Sequence, residues 1–108
     1  MARRDKFKAI KDEIERLPDS KAELGRSLLE KARFMDNGLN ELQEAIKENG
    51  WVEKYQNGAS QFGLKKSSHA DVYNTLIKNY NSTIKQILDL LPKEEGEEDE
   101  LLGFIRKK

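Results

Sequence analysis

Residues 20–50 read SKAELGRSLLEKARFMDNGLNELQEAIKENG, and the spacing of their apolar side chains decides the fold. Leu24, Leu28, Ala32, Met35, Leu39, Leu42 and Ile46 recur at steps of four and three. That spacing lays one stripe along an α-helix, close to a heptad seam, and suits packing along a second long helix. Leu29, Phe34 and Ala45 widen the stripe. Ser20 and Glu23 have the spacing of a capping box, which predicts a helix over about 21–49. Asn49-Gly50 supplies the stop. Gly38 falls inside the run. It reads as a tolerated glycine costing about 1 kcal/mol relative to alanine, with a helix break as the alternative.

Upstream, Phe7, Ile10, Ile14 and Leu17 make a shorter stripe and predict a helix over about 4–17. Pro18 ends it, because proline disfavours helical geometry in the residue before it. Downstream, Val72, Leu76, Tyr80, Ile84, Ile87 and Leu91 form a second long seam, flanked by Tyr73, Ile77 and Leu88. Ser68 and Asp71 repeat the capping logic, and Pro92 stops the helix. Between the long helices, Trp51, Val52 and Tyr55 are good strand residues, and Asn57-Gly58 is a strong two-residue turn signal. A small β-hairpin fits there, provided it packs on helices or on a neighbouring subunit. The expected fold class is therefore all-α. It is a long antiparallel helical hairpin with a short N-terminal helix, a small β-hairpin in the connecting loop, a flexible C-terminal tail and an oligomeric state.

The expected division is a helical domain over 1–92 and a C-terminal part over 93–108. The latter opens with six acidic residues among 93–100, a self-repelling linker. It continues into Leu101, Leu102, Phe104 and Ile105, too few for a core of their own. They read as a docking segment that orders on binding a partner, the alternative being that this terminus packs back on its own helical hairpin.

Composition narrows the chemistry. The chain has 108 residues, 37% of them charged, with 20 basic and 20 acidic groups and a net charge of zero. About a quarter of the residues are Leu, Ile, Val or Phe, enough to fold. No cysteine is present, so a disulfide framework, a thiolate metal site and a cysteine nucleophile are excluded. No apolar run spans a bilayer, and the basic N-terminus lacks the apolar stretch of a signal peptide. The single histidine, His69, has no triad pattern around it, and the acidic run lacks the ligand alternation of a calcium loop. No enzyme, cofactor or metal is expected.

The zero balance hides segregation. Residues 1–11 carry a net charge of +4, residues 12–48 −4, residues 49–92 +2 and residues 93–108 −2. Arg3, Arg4, Lys6, Lys8 and Lys11 form a basic arm suited to phosphates, and Lys65 with Lys66 form a second small cationic candidate beside Tyr55 and Phe62. Leu28, Met35, Leu42, Ile46, Trp51, Tyr80 and Ile84 are the residues expected to build the core or subunit contacts.

The order of these parts resembles the small terminase subunits of tailed bacteriophages, in their short helical-hairpin group. The resemblance covers roughly residues 20–92. It is carried by Ile46-Lys47-Glu48-Asn49-Gly50, by the loop from Tyr55 through Asn57-Gly58 and Gly63 to Ser67, and by the helix from Val72 to Tyr80 with Leu90-Leu91-Pro92. Ser67-Ser68 stands where such proteins often have a proline. The resemblance implies a non-enzymatic packaging subunit in the host bacterial cytoplasm. It would assemble as a ring, bind double-stranded viral DNA and regulate the large ATPase/nuclease subunit. The basic arm and loop lysines would then meet DNA, and Leu101, Leu102, Phe104 and Ile105 the large subunit. A helical adaptor that touches only protein is the competing expectation.

Overall fold

The computed structural model describes residues 5–92, which are mostly helical. Three helices, α1 (Lys8–Glu15), α2 (Asp19–Asn49) and α3 (Ser68–Leu90), accompany two antiparallel strands, β1 (Val52–Gln56) and β2 (Phe62–Lys66). The expected linker and docking segment lie outside the described residues, as do Arg3 and Arg4. No helix among the described residues is long and apolar enough to cross a membrane. The chain divides into two compact units.

The first unit holds α1, the start of α2 as far as Lys31, and α3 from Thr83. The α1 stripe behaves as the spacing predicts: Phe7, Ile10 and Ile14 are buried, alongside Ala22, Leu29, Ile84, Ile87, Leu88 and Leu91. The helix begins four residues later than expected. The Asp5 carboxylate accepts the Phe7 amide and its carbonyl accepts the Lys8 amide, holding a turn ahead of the first helical residue. Gly25 sits directly against Ile14. A Cβ there would lie 2.8 Å from the Ile14 Cγ2, so only glycine allows this approach. On the surface, Arg26 grips Glu15 with a two-pronged hydrogen bond, both distances 2.8 Å. That bond holds the Glu15 carboxyl below its usual range and raises the Arg26 guanidinium. The pair is exposed, so it contributes little to stability.

The capping box at Ser20 does not form. Asp19 and Ser20 already lie within α2, and the Pro18 carbonyl accepts the Ala22 amide to start the helix. Proline blocks helix on its N-terminal side while its carbonyl remains a good first acceptor. The seam is also displaced at this end. Leu24 is exposed, while Ala22, Gly25 and Leu29 turn inward, because close approach at Gly25 selects a neighbouring stripe.

The second unit runs from Ala32 to Ser82. Here α2 continues unbroken through Gly38, so the glycine is tolerated. Its contacts with α3 step in opposite directions along the two helices. Asp36 faces Tyr80, the Gly38 Cβ position lies 3.3 Å from Leu76, and the Gln43 amide donates to the Tyr73 hydroxyl at 3.3 Å. Ala32, Leu39, Ile46, Ala70 and Tyr80 are buried in this unit. Phe34 and Val72, both expected on or beside the seams, are exposed.

The α2 stop is as expected: Gly50 takes a φ of 84° and its amide bonds the Ile46 carbonyl at 2.7 Å. The start of α3 is shifted by one residue. Buried Ser67, not Ser68, is the cap, its hydroxyl accepting the Ala70 amide at 3.0 Å. The hairpin forms, but without the two-residue turn. Its loop covers 57–61 and is closed by the Asn57 amide on the Gln61 carbonyl. Gly58 has a φ of 83°, yet Asn57 does not, and the tight turn requires positive φ at both positions.

The two helical glycines should respond oppositely to alanine. Gly25→Ala meets a fully buried β-branched side chain and should destabilise by about 1–3 kcal/mol in urea unfolding. Gly38→Ala meets only a leucine tip and gains up to about 1 kcal/mol of helix propensity. A second expectation concerns Tyr80, whose hydroxyl is buried with no hydrogen-bond partner among the described residues. Tyr80→Phe should stabilise the fold by about 1 kcal/mol, because it removes an unsatisfied polar group. Burial, with the Asp36 carboxylate adding to it, pushes the Tyr80 phenol up to about 12 from an ordinary 10. The folded state thus favours the neutral phenol. Its contribution is complete below pH 10 and is lost between about pH 10 and 12. Alkaline unfolding followed by circular dichroism should be less steep in the phenylalanine variant.

Candidate nucleic-acid interface

Of the expected site, the hairpin lies wholly within the described residues. Side chains alternate across a strand, and directly opposed residues share a face. The register pairs Val52 with Lys66, Lys54 with Leu64 and Gln56 with Phe62 on one face. It pairs Glu53 with Lys65 and Tyr55 with Gly63 on the other. Lys65 and Lys66, grouped as one patch from the sequence, therefore point to opposite faces.

Each of those lysines also has a carboxylate. Lys65 lies 3.3 Å from Glu53, its cross-strand neighbour, and Lys66 lies 3.1 Å from Asp71 in the first turn of α3. The same face as Lys66 carries Lys54, a cation that sequence reasoning passed over. The signal was available in the strand alternation, but only the register shows which residues it stands beside. Lys54 has no carboxylate partner among the described residues.

On the opposite face the Tyr55 ring lies over Gly63, where a Cβ would come within 2.6 Å of it. The ring covers backbone that would otherwise be bare, a known remedy for glycine in a strand. At the hairpin base, Trp51 is 58% exposed. Its ring meets Tyr73 edge-on, with centroids 6.2 Å apart. Gln43, Ile46, Lys47, Trp51 and Tyr73 line an open cleft of about 310 Å³. The Gln43 amide, the Lys47 ammonium, the Tyr73 hydroxyl and the Trp51 indole N–H give that cleft hydrogen-bonding capacity.

The basic arm is only partly within the described residues. The Lys6 ammonium lies 5.4 Å from the centre of the Phe7 ring, Lys8 pairs with Asp12 at 2.9 Å, and Lys11 is exposed on α1. These cations belong to the first unit, whereas the hairpin belongs to the second. Of the expected core or subunit residues, Ile46, Tyr80 and Ile84 are buried, and Leu28, Met35 and Leu42 are half-buried. His69 is exposed in the first turn of α3.

The register makes a direct prediction. Lys65→Glu sets two carboxylates opposite each other and should weaken the hairpin by roughly 0.2–1 kcal/mol. Lys54→Glu faces Leu64 and should leave it nearly unchanged. Amide exchange across 52–66 would distinguish the two variants. In comparison with known proteins, the chain matches no protein family, no curated protein and no solved structure.

Proposed function

We propose that this chain is a small terminase subunit of a tailed bacteriophage. In this reading it is a homo-oligomer built on a long antiparallel helical hairpin. It binds double-stranded viral DNA and regulates the large ATPase/nuclease subunit in the host cytoplasm. The observation that carries the reading is the stretch Tyr55–Ser67 between two long helical seams, with a basic arm before it and an acidic tether after it. The same region supplies the exposed hairpin cations Lys54, Lys65 and Lys66. Arg3, Arg4, Lys6, Lys8 and Lys11 are the arm's DNA candidates. Leu101, Leu102, Phe104 and Ile105 are the candidate contact with the large subunit.

A second reading, a helical adaptor that binds only protein, draws on a specific observation. Lys8, Lys65 and Lys66 are each within ion-pair distance of a carboxylate, while large apolar side chains are exposed on the hairpin. Exposed ion pairs are worth at most about 1 kcal/mol, so phosphates can displace them.

A salt titration separates the two readings. The packaging subunit should bind duplex DNA with an affinity that falls linearly on a log–log salt plot. Replacing Arg3, Arg4, Lys6 and Lys8 with alanine should reduce that slope by about 0.9 for each phosphate no longer neutralised. No binding at low salt, together with a monomer by light scattering, would leave the adaptor reading.

A further inference from the structure

Trp51 is the chain's only tryptophan, and it stands mostly in water. Tryptophan is highly buried on average, so an indole left this open is informative. The backbone beneath it is fixed. Gly50 turns the chain at a φ of 84°, and the Trp51 carbonyl accepts the Ser67 amide at 2.9 Å. The edge-on contact with Tyr73 holds the ring in place and leaves indole surface free for stacking. Gln43, Ile46, Lys47, Trp51 and Tyr73, all in the second unit, enclose the cleft of about 310 Å³ beside it. That volume is near the lower end of the roughly 300–1,000 Å³ of small-molecule sites. It has room for one heterocycle and none for a duplex.

The polar groups of the cleft differ in kind. The Gln43 amide donates to the Tyr73 hydroxyl at 3.3 Å, which leaves the Gln43 carbonyl oxygen to accept and the Tyr73 hydroxyl proton to donate. The Lys47 ammonium adds a positive charge at the same cleft. Glu44, one turn back on α2, lies 3.4 Å from it, with both side chains exposed. Such a pair is worth at most about 1 kcal/mol, so an incoming phosphate can compete for the lysine. An aromatic side chain would use the indole and leave the acceptor and the cation idle. An acidic peptide would use the cation and leave the indole idle. A nucleotide uses all of them. We infer that the cleft holds one unstacked nucleobase of a single strand, its ring on Trp51, its edge on Gln43 and Tyr73, and its phosphate on Lys47. Aromatic stacking beside a cation that tracks the backbone is the general chemistry of single-strand binding. A base inside a duplex is stacked on both faces and cannot enter, so the site takes frayed, single-stranded or extruded nucleotides. The inference deepens the nucleic-acid part of the proposed function and rests on it for the class of ligand.

The single tryptophan makes the test direct. The full-length chain is titrated at low salt with a short oligothymidylate while Trp51 emission is followed. The expected result is saturable quenching, with the same affinity from the anisotropy of a dye-labelled oligothymidylate. Trp51→Leu should weaken the affinity read by anisotropy about 5- to 150-fold, the range for one stacked base. Lys47→Gln, at an exposed position, should lower the log–log salt slope by about 0.7, the share of one single-strand phosphate. Absence of quenching overturns the inference, as does an affinity that both variants leave unchanged. Equal quenching by an abasic oligonucleotide or by a polyglutamate peptide also overturns it, because neither offers a base. Duplex DNA that binds while the oligothymidylate leaves Trp51 emission unchanged removes the cleft and keeps the packaging function. Oligothymidylate that quenches Trp51 while duplex fails to bind keeps the cleft and removes the packaging function.

Discussion

The hydrogen bond from the Ser67 amide to the Trp51 carbonyl, at 2.9 Å, closes the connection on which the second unit depends. On one side of it, Gly50 turns α2 off through a left-handed conformation. On the other, the buried Ser67 side chain starts α3 and its carbonyl accepts the Asp71 amide. A chain leaving one helix and entering another must satisfy the backbone groups stranded at both ends. Here Gly50 and Ser67, two small residues that flank the pair of bonded strands, contribute to this at both ends. The hairpin is thereby anchored at its base, and its far end projects an exposed surface.

That anchoring fixes which residues share a face. Lys65 and Lys66 are adjacent in sequence and look like one basic patch. A strand separates neighbours to opposite sides, so each finds a different carboxylate, one across the ladder and one on α3. Lys54 instead joins Lys66, diagonally across the ribbon and among apolar residues. The exposed surface is accordingly a mixed apolar and cationic face and not a patch of positive charge. Its lysines suit phosphates, and Val52, Phe62 and Leu64 suit an apolar protein surface.

Tyr80 shows a different compromise. It occupies a seam position where an aliphatic side chain would serve, yet it buries a hydroxyl that has no partner among the described residues. Tyrosine contributes a large apolar ring, which offsets the cost of leaving that oxygen dry. Its neighbour across the seam, Asp36, reinforces the neutral form of the phenol.

The sequence by itself determined the two long helices, the short helix before them, the stop at Gly50 and the presence of strands around Asn57-Gly58. It could do so because apolar periodicity and glycine or proline punctuation act locally, through backbone geometry. The charge segregation of the chain was equally legible. Tertiary structure decided which members of each stripe are used. Gly25 brings α1 so close to α2 that Ala22 and Leu29 are buried and Leu24 is left in water. It also decided the caps, since Pro18 and Ser67 displaced the serines that spacing favoured. And it decided the faces of the hairpin, including the role of Lys54. A period defines a stripe, but only the approach of a partner element selects the side chains within it, and only a strand register says which charges stand together.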